Sequence, residues 1–171
     1  MNEPLPPRLT TRLVLGAIAG FAATAAMTSA MTRLHRQLPP GERYPLPPRE
    51  ITEAVLDGSG DEAVRDGAML AHFLYGAASG ALVAAVRPAA TTREGAMAGV
   101  AIWTGSYFGW IPAAGILKPA SRHPRRRNAL MIGAHLVWGS ATALVLGELF
   151  DAHRTILNDR PSRDRQGMAA R

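Results

Sequence analysis

Four long segments of this chain contain no charged side chain, and this pattern constrains the fold more than any other feature of the sequence. The four segments are Leu13–Thr32, Gly67–Val86, Gly95–Leu117 and Ala129–Gly147. Each has about 20 residues, and at about 1.5 Å of rise per helical residue this length matches the roughly 30 Å hydrocarbon core of a bilayer. We therefore expect an all-α integral membrane protein, a four-helix bundle. The predicted helices cover about 13–34, 64–86, 94–117 and 128–150.

These helices define a single transmembrane domain, residues 1–150. A proline-rich loop at 38–60 joins the first two helices, and we expect it to be extended as far as Pro48. A short helix should follow, with Glu50 in its first turn and with Ile51 and Val55 on an apolar face. Residues 151–171 are polar and rich in arginine, so they are predicted to form a disordered tail.

The basic residues lie beside the apolar segments. The net charge of +6 and the pI of about 10.9 therefore indicate attraction to anionic lipid headgroups rather than to nucleic acid. The run Arg125, Arg126 and Arg127 is the expected headgroup anchor. Lysine and arginine are divided almost equally between the two sides of the membrane, so the sequence leaves the orientation open. The absence of cysteine excludes disulfides, thiolate metal sites and a cysteine nucleophile.

Two apolar segments of the chain have similar sequences. AHFLYGAASGALVAA begins at Ala71 and AHLVWGSATALVLGE at Ala134, which aligns His72 with His135. The helices before them also match, because GAIAGFAAT from Gly16 aligns with GAMAGVAIW from Gly95. The pattern predicts two parallel two-helix repeats, related by a pseudo-twofold axis along the membrane normal.

Small residues recur four positions apart in each of these helices. Helices without a hydrophobic force between them pack in lipid through such stripes, which let backbones approach. The predicted helix-packing residues are Gly16, Gly20, Gly76, Gly80, Gly95, Gly99 and Gly139. The stripe in the last helix should continue through Ala143 and Gly147.

The two aligned histidines are the candidate functional residues. Each precedes a glycine of its own stripe by four residues, so His72 and His135 should face protein rather than lipid. Three interpretations remain open: structural hydrogen bonds to neighbouring helices, a polar pair on the path of a proton or small solute, and axial ligation of haem.

The third predicted helix carries Trp103, Tyr107 and Trp110 on one face, which is typical of packing, and Pro112 should kink it. The sequence contains no Ser/His/Asp arrangement, paired carboxylate motif or phosphate-binding glycine loop. We therefore predict no catalytic residues and no metal site.

Two stretches, YPLPPREITE at 44–53 and GAHLVW at 133–138, resemble the YagU-like family of bacterial inner-membrane proteins. A glycine-rich first helix, a PLPPR linker and a late histidine helix occur there in similar order. The resemblance covers the first third of the chain and the last helix. It implies a small multi-pass protein of the bacterial inner (cytoplasmic) membrane and supplies no catalytic residues.

The sequence thus predicts a non-catalytic, structural or stress-related membrane component. Its expected partners are the lipid bilayer with its anionic headgroups, and a second copy or another membrane protein, but no nucleic acid. The alternatives are a proton or small-solute channel or transporter that uses His72 and His135, and a haem-binding electron-transfer module.

Overall fold

The computed structural model describes residues 8–56 and 58–156, and this part of the chain is helical without strands, which confirms the all-α prediction. The α-helices are α1 Leu9–His35, α2 Pro47–Val55, α3 Asp61–Val86, α4 Thr92–Gly105, α5 Ile111–Ala113 and α6 Arg125–Thr155. A π-helical turn, Ser106–Trp110, joins α4 to α5, and short 3₁₀ turns cover Pro40–Glu42 and Ala120–Arg122. Three of these helices, α1, α3 and α6, are long and apolar enough to cross a membrane.

Helices α1 and α3 pack with their backbones in direct contact. A Cβ atom placed on Gly20 would overlap the carbonyl oxygen of Gly76, and one placed on Gly80 would overlap the carbonyl oxygen of Gly16. Glycine is therefore required at these positions, because any side chain would push the two helices apart.

Helices α4 and α6 form a second glycine seam. Gly95 and Gly139 face each other so closely that a Cβ on either would overlap the other's carbonyl oxygen, and a Cβ on Gly99 would overlap that of His135. All seven glycines predicted to pack helices lie in the two seams. Gly147, where the stripe was expected to continue, has no atom within 4 Å of a Cβ placed on it, so the seam ends before that residue.

The two seams differ in register by one helical turn. Gly16 lies against Gly80 and the methyl group of Ala84. The sequence alignment would place Gly95 against Ala143 and Gly147, but Gly95 lies against Gly139 and the Ala143 methyl group instead. Ala143 of α6 aligns with Gly80, the second seam glycine of α3. The closest approach between the backbones of α4 and α6 is therefore at Gly139, one turn before Ala143.

The four long helical segments also pack unequally. Helix α1 contacts both α3 and α6 along much of its length, whereas α3 and α4 touch at few positions. A twofold axis that exchanges α1 with α4 and α3 with α6 would make the α1–α6 and α3–α4 interfaces alike. The predicted pair of symmetric repeats is therefore not confirmed.

The third predicted helix is broken near its end. Gly109, with φ −108° and ψ −108°, leaves helical geometry inside the π turn, three residues before Pro112. The proline ring disfavours a continuous α-helix through this turn, which accounts for the kink. Trp103 and Tyr107 are buried and stacked with ring centroids 5.9 Å apart, while Trp110 is 47% exposed. The three aromatic side chains therefore differ in burial, with Trp110 the exposed member.

The connecting segments are more ordered than the sequence indicates. Helix α2 begins at Pro47, so Pro47 and Pro48 form its first turn rather than an extended segment. Ile51 packs against the core as expected, but Val55 is 65% exposed and Thr52 is buried in its place. Helix α6 continues to Thr155, through the first residues of the predicted tail, and 157–171 lie outside the described residues.

Candidate functional site

A cavity of about 200 Å³ lies between α1, α3, α6 and the π turn, with α2 across one end. Both predicted histidines line it, so the structure brings His72 and His135 to one site. Most of the remaining lining is apolar or aromatic, and none of the described side chains that line the cavity carries a formal charge.

The hydrogen bond of His135 fixes its tautomer. Its Nδ1 lies 2.7 Å from the carbonyl oxygen of Met131, one turn earlier in α6. A carbonyl oxygen only accepts, so Nδ1 carries the proton in the neutral ring and Nε2 is left as an acceptor. No described residue donates to that Nε2. The cavity therefore has a hydrogen-bond acceptor on its α6 wall.

The ring of His72 is also incompletely paired. Its Nε2 is buried and has no hydrogen-bond partner among the described residues. His72 also lines a second space of about 290 Å³, whose lining includes Arg49 of α2 and Arg65 in the first turns of α3. His72 therefore lines both the interior cavity and a more polar space.

Three hydroxyl-bearing side chains complete the polar lining at mid-bundle. The Thr24 hydroxyl donates to the Gly20 carbonyl oxygen at 2.8 Å within its own helix. Ser79 is buried on α3, and Ser106 begins the π turn. Such hydroxyl groups are neutral donors and acceptors, so they give the cavity polarity without charge.

The cavity wall between α3 and the π turn includes side chains that also reach the outer surface. The Tyr75 hydroxyl and Ser106 Oγ are 2.7 Å apart and form the principal polar link between these elements. Tyr75 is 42% exposed and Trp110 is 47% exposed, and both also line the cavity. Their rings are 6.2 Å apart. We call Tyr75, Ser106 and Trp110 the side window, because they separate the cavity from the outer surface of the bundle.

Arg127 does not anchor lipid headgroups, contrary to the sequence prediction. Its side chain is 4% exposed, whereas Arg125 and Arg126 are exposed. Its guanidinium donates to the carbonyl oxygens of Tyr44 and Pro45, each at 2.9 Å. The preceding proline turn orients the first residues of α6 toward the loop rather than toward lipid.

Further contacts make Arg127 the centre of a cluster at this end of the bundle. Its guanidinium lies 3.4 Å from the centroid of the Tyr44 ring and 3.4 Å from Glu50 Oε2. The Tyr44 hydroxyl in turn lies 3.2 Å from His123 Nδ1. Burial raises the pKa of the Tyr44 phenol and of the Glu50 carboxyl, and the nearby Arg127 charge opposes both shifts.

This cluster holds the segment 42–55, which we call the cap segment, over the cavity. Pro47, Pro48, Ile51 and Thr52 of that segment line the cavity. Arg127 on α6 is bonded to the cap segment at 44, 45 and 50, so it connects the last helix to the first loop. The sequence gives little indication of this, because Arg127 stands in a run of three arginines.

The site does not fit haem. A cavity of about 200 Å³ is little larger than the roughly 150 Å³ that encloses a benzene molecule, and a porphyrin is several times larger than benzene. Among the described residues no group of three or more metal-ligating side chains is assembled either. Two histidines beside one cavity are therefore better suited to hydrogen bonding than to axial ligation.

Comparison with known proteins identifies no relative, since no family model, curated protein or solved structure matches this chain.

Proposed function

We propose that this chain is an integral membrane protein with four crossings, and that it binds a small uncharged molecule in the cavity between its helices. The fourth crossing is the broken helix of α4, the π turn and α5, which spans 92–113. Its 22 residues amount to about 33 Å at about 1.5 Å per residue, close to the thickness of the hydrocarbon core. The extensive packing of α4 on α6, which is itself long and apolar enough to cross, supports this topology.

The observation that carries the binding proposal is that two histidines line one cavity and that each has a ring nitrogen without a hydrogen-bond partner among the described residues. A buried polar group without a partner costs about 1–3 kcal/mol, and this cost falls when a ligand supplies the missing hydrogen bond. His135 Nε2 is an acceptor, and His72 Nε2 is buried without a partner. A purely structural pair would be expected to bond to neighbouring helices instead.

The absence of charge along the cavity wall supports an uncharged ligand. An ion placed there would lose its hydration without gaining a counter-ion, which is costly in a low-dielectric interior. The polar groups of the described lining are hydroxyls and imidazoles, and its other side chains are apolar or aromatic. Placement in a bacterial inner membrane and membership of the YagU-like family belong to the same proposal, and they rest on the resemblance at 44–53 and 133–138.

Single-cysteine labelling tests the topology, because the natural sequence has no cysteine. Gly41→Cys in the first loop and Ser121→Cys in the third should react with a membrane-impermeant maleimide from the same side. Ala89→Cys, in the turn between α3 and α4, should react only from the other side. Labelling of positions 89 and 121 from one side would show that 92–113 does not cross.

Binding is tested by heavy-atom quenching of tryptophan in nanodiscs. Trp110 and Trp138 line the cavity, whereas Trp103 does not, so the Trp103→Phe variant retains only the two reporters. Bromobenzene should quench their fluorescence saturably as its concentration in the bilayer rises. Quenching that stays linear with concentration would indicate collisions from the lipid and would contradict the proposed function.

Proton conduction is the second candidate, favoured because His72 lines both the interior cavity and the polar space near Arg49 and Arg65. Protein in liposomes loaded with a pH-sensitive dye should then dissipate a pH gradient faster than empty liposomes do. His72→Gln should abolish that excess rate. An excess rate that persists in this variant would contradict the second candidate.

A further inference from the structure

We infer that the bound molecule is a single-ring phenol that enters from the bilayer through the side window. This inference rests on the proposed function and names the chemical class of its ligand. The hydrogen-bond polarity of His135, the size and aromatic character of the cavity, and the way its two ends are closed all favour such a ligand.

The hydrogen-bond polarity requires a donor on the ligand. His135 Nδ1 is committed to the Met131 carbonyl oxygen at 2.7 Å, so Nε2 presents a lone pair to the cavity. An ether, ketone or simple hydrocarbon offers that nitrogen nothing. A hydroxyl group donates one hydrogen bond and accepts others. It can therefore donate to His135 Nε2 and still accept from a second donor.

The cavity wall favours an aromatic ring. Tyr75, Tyr107, Trp110 and Trp138 all line it. Trp138 is held in place because its Nε1 donates to the Gly20 carbonyl oxygen at 3.2 Å, so its indole does not compete for the histidines. Aromatic pairs in offset or edge-to-face arrangements stabilise each other beyond the area that they bury. The four aromatic side chains around the cavity therefore favour a flat ring over a flexible chain.

The volume limits the ligand to one ring. Since about 150 Å³ encloses benzene, a cavity of about 200 Å³ has room for a substituted benzene and little more. A longer substituent would have to leave through the side window, between α3 and the π turn.

The openings indicate access from the lipid. At the loop end, the cap segment covers the cavity and Arg127 holds it through hydrogen bonds that include those to Tyr44, Pro45 and Glu50. At the side window the closing side chains are themselves 42% and 47% exposed, and a single hydrogen bond of 2.7 Å joins the two elements. Phenols dissolve in bilayers, so a phenol in the membrane meets the weaker of the two barriers.

The experiment compares three brominated probes in nanodiscs by saturable quenching of the cavity tryptophans in the Trp103→Phe protein. 4-Bromophenol has the ring and the hydroxyl, bromobenzene has only the ring, and 6-bromohexan-1-ol has only the hydroxyl. With concentrations expressed per volume of bilayer, 4-bromophenol should bind about 10-fold more tightly than either of the others, as expected for one hydrogen bond to a buried nitrogen.

The results separate this inference from the proposed function. Equal saturable binding of bromobenzene and 4-bromophenol would overturn the requirement for a donor while leaving a ligand-binding cavity. Equal binding of the bromoalcohol would overturn the requirement for a ring and indicate an acyl or alkyl occupant. If no probe quenches saturably, the proposed function itself fails.

Two variants test where the hydroxyl binds. His135→Leu should remove the advantage of 4-bromophenol over bromobenzene, because the acceptor is lost while the apolar volume is retained. Thr104→Val on the exposed face of α4, which does not line the cavity, is the matched control and should keep the 10-fold preference. A preference retained in His135→Leu protein that still binds bromobenzene would overturn the assignment of His135.

Discussion

Replacing Arg127 by methionine should release the cap segment at a cost of about 3–5 kcal/mol. The side chain is 4% exposed, and it donates to two carbonyl oxygens at 2.9 Å and to Glu50 Oε2 at 3.4 Å. Hydrogen bonds to a charged group contribute about 1.5–3 kcal/mol each, so three of them would set an upper bound at or above the predicted cost. The released segment regains water at its carbonyl groups, and we therefore expect the range typical of a broken buried ion pair.

The loss should be local, because neither glycine seam contacts Arg127. Hydrogen exchange in nanodiscs measures this directly for the amides of α2 and for that of its C-cap residue Leu56, which donates to the Thr52 carbonyl oxygen at 2.8 Å. A cost of 3 kcal/mol corresponds to exchange roughly 100-fold faster for amides that open with the cap segment. Amides in α1 and α6 should exchange at unchanged rates.

Arg126→Met is the matched control, since Arg126 precedes Arg127 in the sequence and is exposed. It should leave α2 exchange unchanged. Arg127→Lys should lie between the two, because lysine keeps the charge but lacks the planar fork that reaches several acceptors. Equal exchange in the Arg126 and Arg127 variants would refute the view that Arg127 holds the cap segment.

Three further predictions follow from other parts of the structure. Burial raises the pKa of Glu50, so the cap segment should be most stable below the ordinary carboxyl pKa and should lose stability as the pH rises through the raised pKa. Glu50→Gln should remove this pH dependence, which hydrogen exchange of α2 measures after correction for intrinsic rates. Gly20→Ala should cost about 1–3 kcal/mol in detergent unfolding because its methyl group meets backbone, whereas Gly147→Ala, in open space, should change stability by less than about 0.5 kcal/mol. Thr91→Ala should cost about 0.5–2 kcal/mol because it breaks the capping box with Glu94, while Thr91→Ser should retain most of it; equal losses in both would contradict the capping role.

The apolar segments and the glycine stripes could be read from the sequence because both are local, periodic signals. Charge-free runs of membrane length predicted α1, α3 and α6, and spacing by four placed the small residues that now form two seams. Spacing by four also placed His72 and His135 toward protein, and both line the cavity. These properties depend only on helical geometry, so they required no knowledge of neighbouring helices.

Other features depend on contacts between distant residues and could not be predicted in this way. Arg127 has the same residue type as Arg125 and Arg126, and only its position on α6 relative to residues 44–50 buries it. The register difference between the seams depends on which small residue is a glycine and which is an alanine. The sequence similarity between the two halves does not reveal the effect of the one methyl group by which Ala143 differs from Gly80.

At the π turn, Ser106–Trp110, the number of residues in the segment, as well as their identity, determines which later residues face the cavity. Each residue advances an α-helix by about 100°, so deleting one residue from the turn would rotate everything after it by about that angle. Ile111, now 3% exposed, would swing away from the interior, and Trp110 would leave the window. In related chains, a gap of one position here would mark a reoriented cavity wall even where the flanking residues are identical.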